Sequence, residues 1–233
     1  MPRRARITAA NIAHHIIQRG NNRSACFYAE DDYLLYLEWL HKYALERECQ
    51  IHAYVLMTNH VHLLVTPADR AGLAGLMKSL GQRYVQYINR SYSRSGTLWE
   101  GRFKSCIANE SNYVLGCYRY IELNPVRACM VSHPGDYRWS SYGANAQSDN
   151  STLLTPHESY RALGRRSEDR LRAYRSLFKS EISGELIDEI RTATNGNYAL
   201  GSEKFTRDVE EMLGRRARLG KRGRPSKSSL DCD

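Results

Sequence analysis

The chain has 233 residues and a mass of 26.8 kDa, enough to bury one domain core and a smaller extension. Its net charge of +9 and sequence pI near 9.3 indicate a polyanionic partner, and nucleic acid is the first expectation. No apolar stretch reaches the 18 residues of a membrane helix and the basic N-terminus lacks a signal-peptide core, so we expect a cytoplasmic, nucleoid-associated protein without membrane contact.

Hydrophobic periodicity predicts seven elements in the first part of the chain. In chain order they are a strand at 14–19, a helix at 31–47, strands at 51–57 and 60–66, a helix at 72–89, a strand at 103–108 and a helix at 111–123. This order predicts an α+β fold, a ferredoxin-like antiparallel sheet with one added helix. Two crossover helices would cover one face of the sheet and leave the other for a ligand, a partner or the added helix.

The strand at 60–66 places His60 and His62 two residues apart, so both imidazoles point to the same face of the sheet. The apolar residues between and after them would face the crossover helices. Two neutral imidazoles on a rigid strand form half of a divalent-metal site. The same pair also fits two half-buried histidines that are hydrogen-bonded on a sheet face, and both interpretations stay open at this point.

The last predicted helix places Tyr120 and Asn124 four residues apart, one above the other on the same face. An oriented tyrosine oxygen can attack a phosphodiester and conserve the bond energy in a phosphotyrosine. A divalent ion on His60, His62 and an amide oxygen would polarise the phosphate for that attack. Alternatively, Tyr120 is one of sixteen tyrosines that can simply pack, and Asn124 can cap the proline-initiated segment that follows.

Basic and polar side chains interleaved with aromatic ones predict a DNA surface. A loop after the first strand offers a phosphate clamp, the helix at 72–89 offers polar positions that can track a strand, and the segment before 103–108 has the composition of a base-stacking groove. The candidate DNA-binding residues here are Arg19, Asn21, Asn22, Arg23, Lys78, Arg83, Trp99, Arg102 and Lys104. The alternative is that the aromatic residues are core and the charges form a solvated rim.

The composition changes beyond about Gly143, where a small, polar segment is typical of a linker. Capping signals at Thr155, Ser167, Ser183 and Ser202 predict further helices. We therefore expect three parts, which are a first domain at 1–145, a helical extension at 152–213 and a basic tail at 214–233.

The tail contains KRGRPSK, which resembles an AT-hook with Arg222 and Arg224 as its central basic residues. An extended Gly-Arg-Pro core fits the narrow minor groove of A·T-rich duplex DNA, and neighbouring cations contact phosphates. A disordered tail that binds DNA only electrostatically is the alternative.

Six cysteines occur without C-x-x-C pairing, which argues against a zinc ribbon and against a disulfide framework. Reduced thiols are therefore expected. The expected oligomeric state is a monomer or a homodimer.

Four separated motifs resemble those of the HUH-type single-tyrosine transposases, most closely the IS200-like REP-associated tyrosine transposases. They are HHIIQRGNNRS, TNHVHLLV, LWEGRFKS and CYRYIELNPVRA, within a similarity that covers roughly residues 8–142. The resemblance implies the HUH endonuclease fold and cleavage of single-stranded DNA beside a hairpin through a 5′-phosphotyrosine. It implies His60, His62 and Asn124 as ligands of magnesium or manganese, and Tyr120 as the nucleophile.

We therefore expect a metal-dependent DNA transposase, and two other functions are weighed against it. A replication initiator or relaxase uses the same histidine pair, but such proteins usually carry longer domains and a helicase or second tyrosine, neither of which is evident here. A domesticated protein that binds hairpin DNA without cutting would need only the basic surface. The presence of all four site residues argues against that alternative.

Overall fold

The computed structural model describes residues 6–220 and contains a four-stranded antiparallel sheet in the order β2-β3-β1-β4. The strands are β1 (Ala13–Arg19), β2 (Cys49–Met57), β3 (His60–Pro67) and β4 (Lys104–Ala108). The crossover helices are α1 (Glu30–Glu46) and α2 (Gly72–Ser91). The predicted ferredoxin-like α+β fold is confirmed.

Helices α1 and α2 cover one face of the sheet because their apolar stripes and the inward residues of β3 bury one another. Val61, Leu63 and Val65 are fully buried in this core together with Leu76 and Tyr84. Since side chains alternate along a strand, His60 and His62 lie on the opposite face, as the pattern predicts.

The remaining helices follow β4 along the chain, and most of them lie on the opposite face of the sheet. They are α3 (Ser111–Glu122), α4 (Asn124–Arg127), α5 (Tyr142–Gln147), α6 (Glu158–Arg161), α7 (Ser167–Leu177), α8 (Gly184–Gly196) and α9 (Glu203–Leu213). Helix α3 contacts β2 and β3, and α8 contacts β4 and β1. Tyr118 of α3, Tyr174 of α7 and Ile190 of α8 share one buried core, so the C-terminal helices pack directly against the first part of the chain.

The segment predicted as a linker begins inside helix α5, so that prediction is wrong for residues 143–147. Asn145 is 5% exposed, and its Nδ2 donates to Glu122 Oε1 at 2.8 Å and to the His52 carbonyl at 3.2 Å. The composition of this segment shows that it is polar, but it does not show that Asn145 has buried hydrogen-bond partners that stabilise the helix. The division at 145 and 152 itself stays a prediction.

Two of the four predicted helix caps are confirmed and two are wrong. The hydroxyls of Ser183 and Ser202 accept hydrogen bonds from backbone N–H groups in the first turns of α8 and α9. Thr155 does not cap a helix, because its N–H donates to the Ile51 carbonyl at 2.7 Å beside the sheet. His157 caps α6 instead, through Nδ1. Ser167 is the first residue of α7, and Arg166 precedes it as the N-cap without a side-chain hydrogen bond.

Within residues 6–220, no helix combines the length and apolar character needed to cross a membrane. The five cysteines of this range are free thiols, four of them buried. Arg222 and Arg224, with the rest of the AT-hook-like motif, lie outside the described residues.

Candidate active site

All four residues predicted to carry the chemistry line one open cleft with a volume of about 690 Å³. His60 and His62 extend from β3, Tyr120 from the last turn of α3, and Asn124 from the start of α4. The strand fixes the two imidazoles, and the packing of α3 across the same sheet brings Tyr120 over them. The ring centroids of His62 and Tyr120 lie 5.6 Å apart in an edge-on arrangement.

Hydrogen bonds determine which ring nitrogen of His60 carries the lone pair. Asn59 donates its Nδ2 to the Arg23 carbonyl at 3.0 Å, so its Oδ1 accepts from His60 Nδ1 at 2.6 Å. In a neutral imidazole the other ring nitrogen then carries an exposed lone pair. His60 Nε2 is therefore available as a ligand.

Burial keeps both imidazoles in the neutral form that binds metals. It lowers the pKa of His60 to about 4, with a further contribution from the charge of Arg19, while the nearby amide of Asn124 acts in the opposite direction. The pKa of His62 is lowered well below its usual value, first by burial and then by its coupling to His15 and His60. The ring centroids of His60 and His62 are 5.1 Å apart.

The residues present fit a divalent ion. Within residues 6–220 no group of three His, Cys, Asp or Glu side chains could hold a metal, so an ion here would draw on the two imidazoles and on Asn124. Asn124 donates its Nδ2 to the Tyr120 carbonyl at 3.0 Å, so its Oδ1 is the atom that could coordinate an ion. Two nitrogens and one oxygen leave positions for water and phosphate oxygens around a magnesium or manganese ion.

Arg127 is a site residue that the sequence interpretation missed. Its guanidinium lies 4.2 Å from the centroid of the Tyr120 ring, and its Nη2 donates to the Tyr120 carbonyl at 2.8 Å. A cation over the ring helps to hold the ring in place. The signal that could have found it is its position two helical turns after Tyr120.

His15 and Thr194 were also missed. His15 lies on β1, 1% exposed, with its ring stacked on that of His62 at a centroid distance of 5.0 Å. Its Nδ1 is 2.9 Å from the hydroxyl of Thr194 on α8. No local pattern could pair residues 179 positions apart.

Part of the predicted DNA surface forms the rim of this cleft. Arg19, Arg102 and Lys104 line it, and Arg191 of α8 and Arg6 add a fourth and a fifth cation. Asn21, Asn22 and Arg23 form a single 3-10 turn directly after β1, and Asn22 and Arg23 are exposed. The Arg23 carbonyl accepts from Asn59, so this turn lies beside the start of β3.

Among the described residues, six predicted DNA contacts do not line the cleft, which are the three turn residues Asn21, Asn22 and Arg23, and Lys78, Arg83 and Trp99. Lys78 and Arg83 are exposed on α2, which covers the other face of the sheet. The base-stacking role predicted for Trp99 does not fit its placement, since Trp99 is 5% exposed and stacks on Tyr84 in the α1–α2 core. Its large apolar ring contributes to the core instead.

A histidine pair on a central strand therefore faces a helix tyrosine in a cleft with a basic rim. The chain belongs to the family of IS200-like transposases, whose family model matches residues 8–124. No curated protein matches this chain.

Two solved structures are similar to the chain. One is a REP-associated tyrosine transposase bound to a REP hairpin, with a TM-score of 0.52 and 17% identity over 68% of this chain and 96% of that one. The other is a candidate transposase from Deinococcus radiodurans R1, with a TM-score of 0.35 and 18% identity over 48% of this chain and 89% of that one. The first likeness agrees with the predicted HUH fold.

Proposed function

We propose that this transposase cleaves single-stranded DNA beside a hairpin, with Tyr120 as the nucleophile and a divalent ion as cofactor. The observation that carries the proposal is the meeting of Tyr120, His60, His62 and Asn124 in one cleft with a basic rim. A relative of the same fold binds a REP hairpin, which supports a hairpin substrate.

In the proposed reaction, the phenol oxygen of Tyr120 attacks the scissile phosphorus. The bond from phosphorus to the tyrosine oxygen forms as the bond to the 3′ oxygen breaks, the phenolic proton passes to water in the cleft, and the leaving 3′ oxygen takes up a proton. One phosphodiester replaces another, so a 3′-hydroxyl can later reverse the step without ATP. Arg127 holds the Tyr120 ring in place through its guanidinium.

The remaining groups bind and orient the DNA. Nε2 of His60, Nε2 of His62 and Oδ1 of Asn124 would hold the magnesium or manganese ion, which supplies Lewis-acid polarisation of the scissile phosphate when it is bound. Arg19 and Lys104 would contact flanking phosphates and set the position of the strand.

The test uses a hairpin with a single-stranded flank, labelled at its 3′ end because a 5′-phosphotyrosine retains the 3′ fragment. We expect wild-type protein with Mn²⁺ to give a covalent adduct on a denaturing gel. Tyr120→Phe should bind the hairpin with unchanged affinity and give no adduct, since only the nucleophilic oxygen is lost.

Tyr118→Phe is the matched control, because Tyr118 is fully buried, stacks on Tyr160 and does not line the cleft. We expect this variant to retain the adduct. An adduct that persists in Tyr120→Phe but is lost in Tyr118→Phe would contradict the assignment of the nucleophile. Tight hairpin binding without any adduct from the wild type would instead support a non-cutting DNA-binding protein.

A further inference from the structure

We propose that His15 and Thr194 are positioning residues that fix the tautomer of His62, so that helix α8 completes the metal site from the C-terminal part of the chain. The inference deepens the proposed function and rests on it for the role of the ion. It depends on three successive hydrogen bonds, and the chemistry of the groups determines the direction of each.

The first of these hydrogen bonds lies within helix α8. The hydroxyl of Thr194 is 2.7 Å from the Ile190 carbonyl, which can only accept, so Thr194 donates its single hydrogen there. Its oxygen can then only accept from its other neighbours. These are His15 Nδ1 at 2.9 Å and Cys106 Sγ at 3.3 Å.

The direction of that bond determines the state of both imidazoles. His15 donates from Nδ1 to Thr194, and because its buried ring is neutral, its Nε2 must be an acceptor. His15 Nε2 is 2.8 Å from His62 Nδ1, so His62 donates from Nδ1. His62 Nε2 therefore carries the lone pair.

This tautomer is the one a metal ligand in the cleft requires. The opposite tautomer would place a hydrogen on Nε2 and block coordination there. Outer hydrogen bonds of this kind orient ligating histidines and raise their basicity, and their loss typically lowers metal affinity by about 10- to 100-fold. Asn59 does the same for His60 from the neighbouring turn, so each imidazole has its own partner.

Three variants of the full-length protein test the inference. Thr194→Val keeps the shape but removes the hydroxyl, Thr194→Ser restores the hydroxyl, and Thr206→Val is the control. Thr206 is a matched control for Thr194 because it is also buried, at 7% exposed, and its hydroxyl also donates to a carbonyl one turn earlier in its helix, that of Ser202. It does not line the cleft.

Two readouts do not depend on DNA cleavage. Long-range ¹H–¹⁵N NMR of the metal-free protein reports the tautomers of His15 and His62, and EPR of free Mn²⁺ reports the dissociation constant. We expect wild type, Thr194→Ser and Thr206→Val to show His62 protonated at Nδ1 and similar Mn²⁺ affinity. Thr194→Val should lose the single tautomer and bind Mn²⁺ about 10- to 100-fold more weakly.

The outcomes separate this inference from the proposed function. Protonation of His62 at Nε2 in the wild type overturns the inference without any variant, and so does a Thr194→Val protein with unchanged tautomer and affinity. A wild type with the expected tautomer that binds no Mn²⁺ supports the hydrogen-bond chain and contradicts the proposed cofactor.

Discussion

At the scale of single residues, burial sets the pH range over which His60 and His62 are neutral and can bind a metal. An exposed imidazole titrates near pH 6.5. The pKa of His60 is lowered to about 4 by burial and by Arg19, and that of His62 is lowered well below its usual value, first by burial. A lowered pKa keeps the ring neutral, and protons compete with a metal only as the pH approaches the lowered value.

We therefore expect adduct formation in Mn²⁺ to persist at pH 5.5 and to fall as the pH approaches 4, because His60 becomes protonated there. The measurement is the single-turnover rate of adduct formation between pH 4 and 8 at saturating hairpin DNA. EDTA should abolish the adduct and leave hairpin binding intact. A midpoint near pH 6.5 would contradict the role of burial, and full cleavage in EDTA would contradict the metal site.

The residues that sequence could identify are those whose partners are close in the chain. The alternation of a strand places His60 and His62 together, and helical spacing places Tyr120 beside Asn124. The partners of His15 lie on other strands and on α8, so the sequence offered no reason to select it. Trp99 has the composition of a DNA contact, and only the tertiary structure shows that it is buried.

At the scale of secondary-structure elements, a buried carboxyl joins three helices behind the site. Glu122, the last residue of α3, is fully buried and accepts from Ser141 Oγ at 2.5 Å, Asn145 Nδ2 at 2.8 Å and Tyr174 Oη at 2.7 Å. Burial raises the pKa of Glu122 to about 7, against the opposing effect of these donors. The protonated carboxyl is therefore the form that folding favours.

This raised pKa predicts a pH-dependent stability. The contribution of Glu122 is fully present below its unfolded pKa, near 4.3, and is lost as the pH rises through about 7. We expect the free energy of unfolding of wild type, relative to Glu122→Gln, to fall by on the order of 3 kcal/mol between pH 4 and pH 8. Urea unfolding across that range measures it, and parallel pH profiles for the two proteins would show that the carboxyl does not titrate.

The elements themselves followed largely from periodicity, and the exceptions have a physical cause. The four strands and the helices α1, α2 and α3 have the alternating or amphipathic patterns that predict them. Helix α5 does not, because it is short and polar and folds through Asn145 against Glu122. The start of α6 was misplaced because Thr155 is held by the sheet.

At the scale of the whole molecule, the C-terminal helices take part in the cleft that the first part of the chain builds. Helix α8 contacts β4 and β1 and brings Arg191, Thr194 and Asn195 to the cleft. A sequence can show that a segment is helical and follows a polar stretch, but not which sheet face it covers. The sequence therefore predicts the extension only as a helical region, whereas the structure shows that its helix α8 forms one wall of the cleft.

The basic tail is tested by truncation, and the structure sets where to cut. Ala217 is fully buried and its carbonyl accepts from Ala199 N at 2.8 Å, so a cut after Leu213 would remove packing as well as charge. A cut after Gly220 removes the four cations Lys221, Arg222, Arg224 and Lys227. We expect weaker DNA binding with a salt slope reduced by up to about 0.7 per lost contact on single strands, and unchanged cleavage at saturating DNA.

Two hairpins that differ only in an A·T-rich or G·C-rich duplex flank separate the two interpretations of the tail. A larger loss of affinity on the A·T-rich flank supports the AT-hook, because narrow minor grooves attract arginine. Equal losses would show a nonspecific electrostatic contact. Loss of cleavage at saturating DNA would contradict the placement of the complete active site within residues 6–220.

The most direct test of the central claim is to locate the covalent bond by mass spectrometry. Trypsin cuts after Arg119 and Arg127, so Tyr120 is the one tyrosine of the peptide 120–127, whereas Tyr113 and Tyr118 fall on the peptide 105–119. After nuclease trimming of the adduct, we expect the nucleotide 5′-phosphate on the peptide 120–127. Its presence on the peptide 105–119, or DNA cleavage with no nucleotide on any tyrosine, would contradict the account.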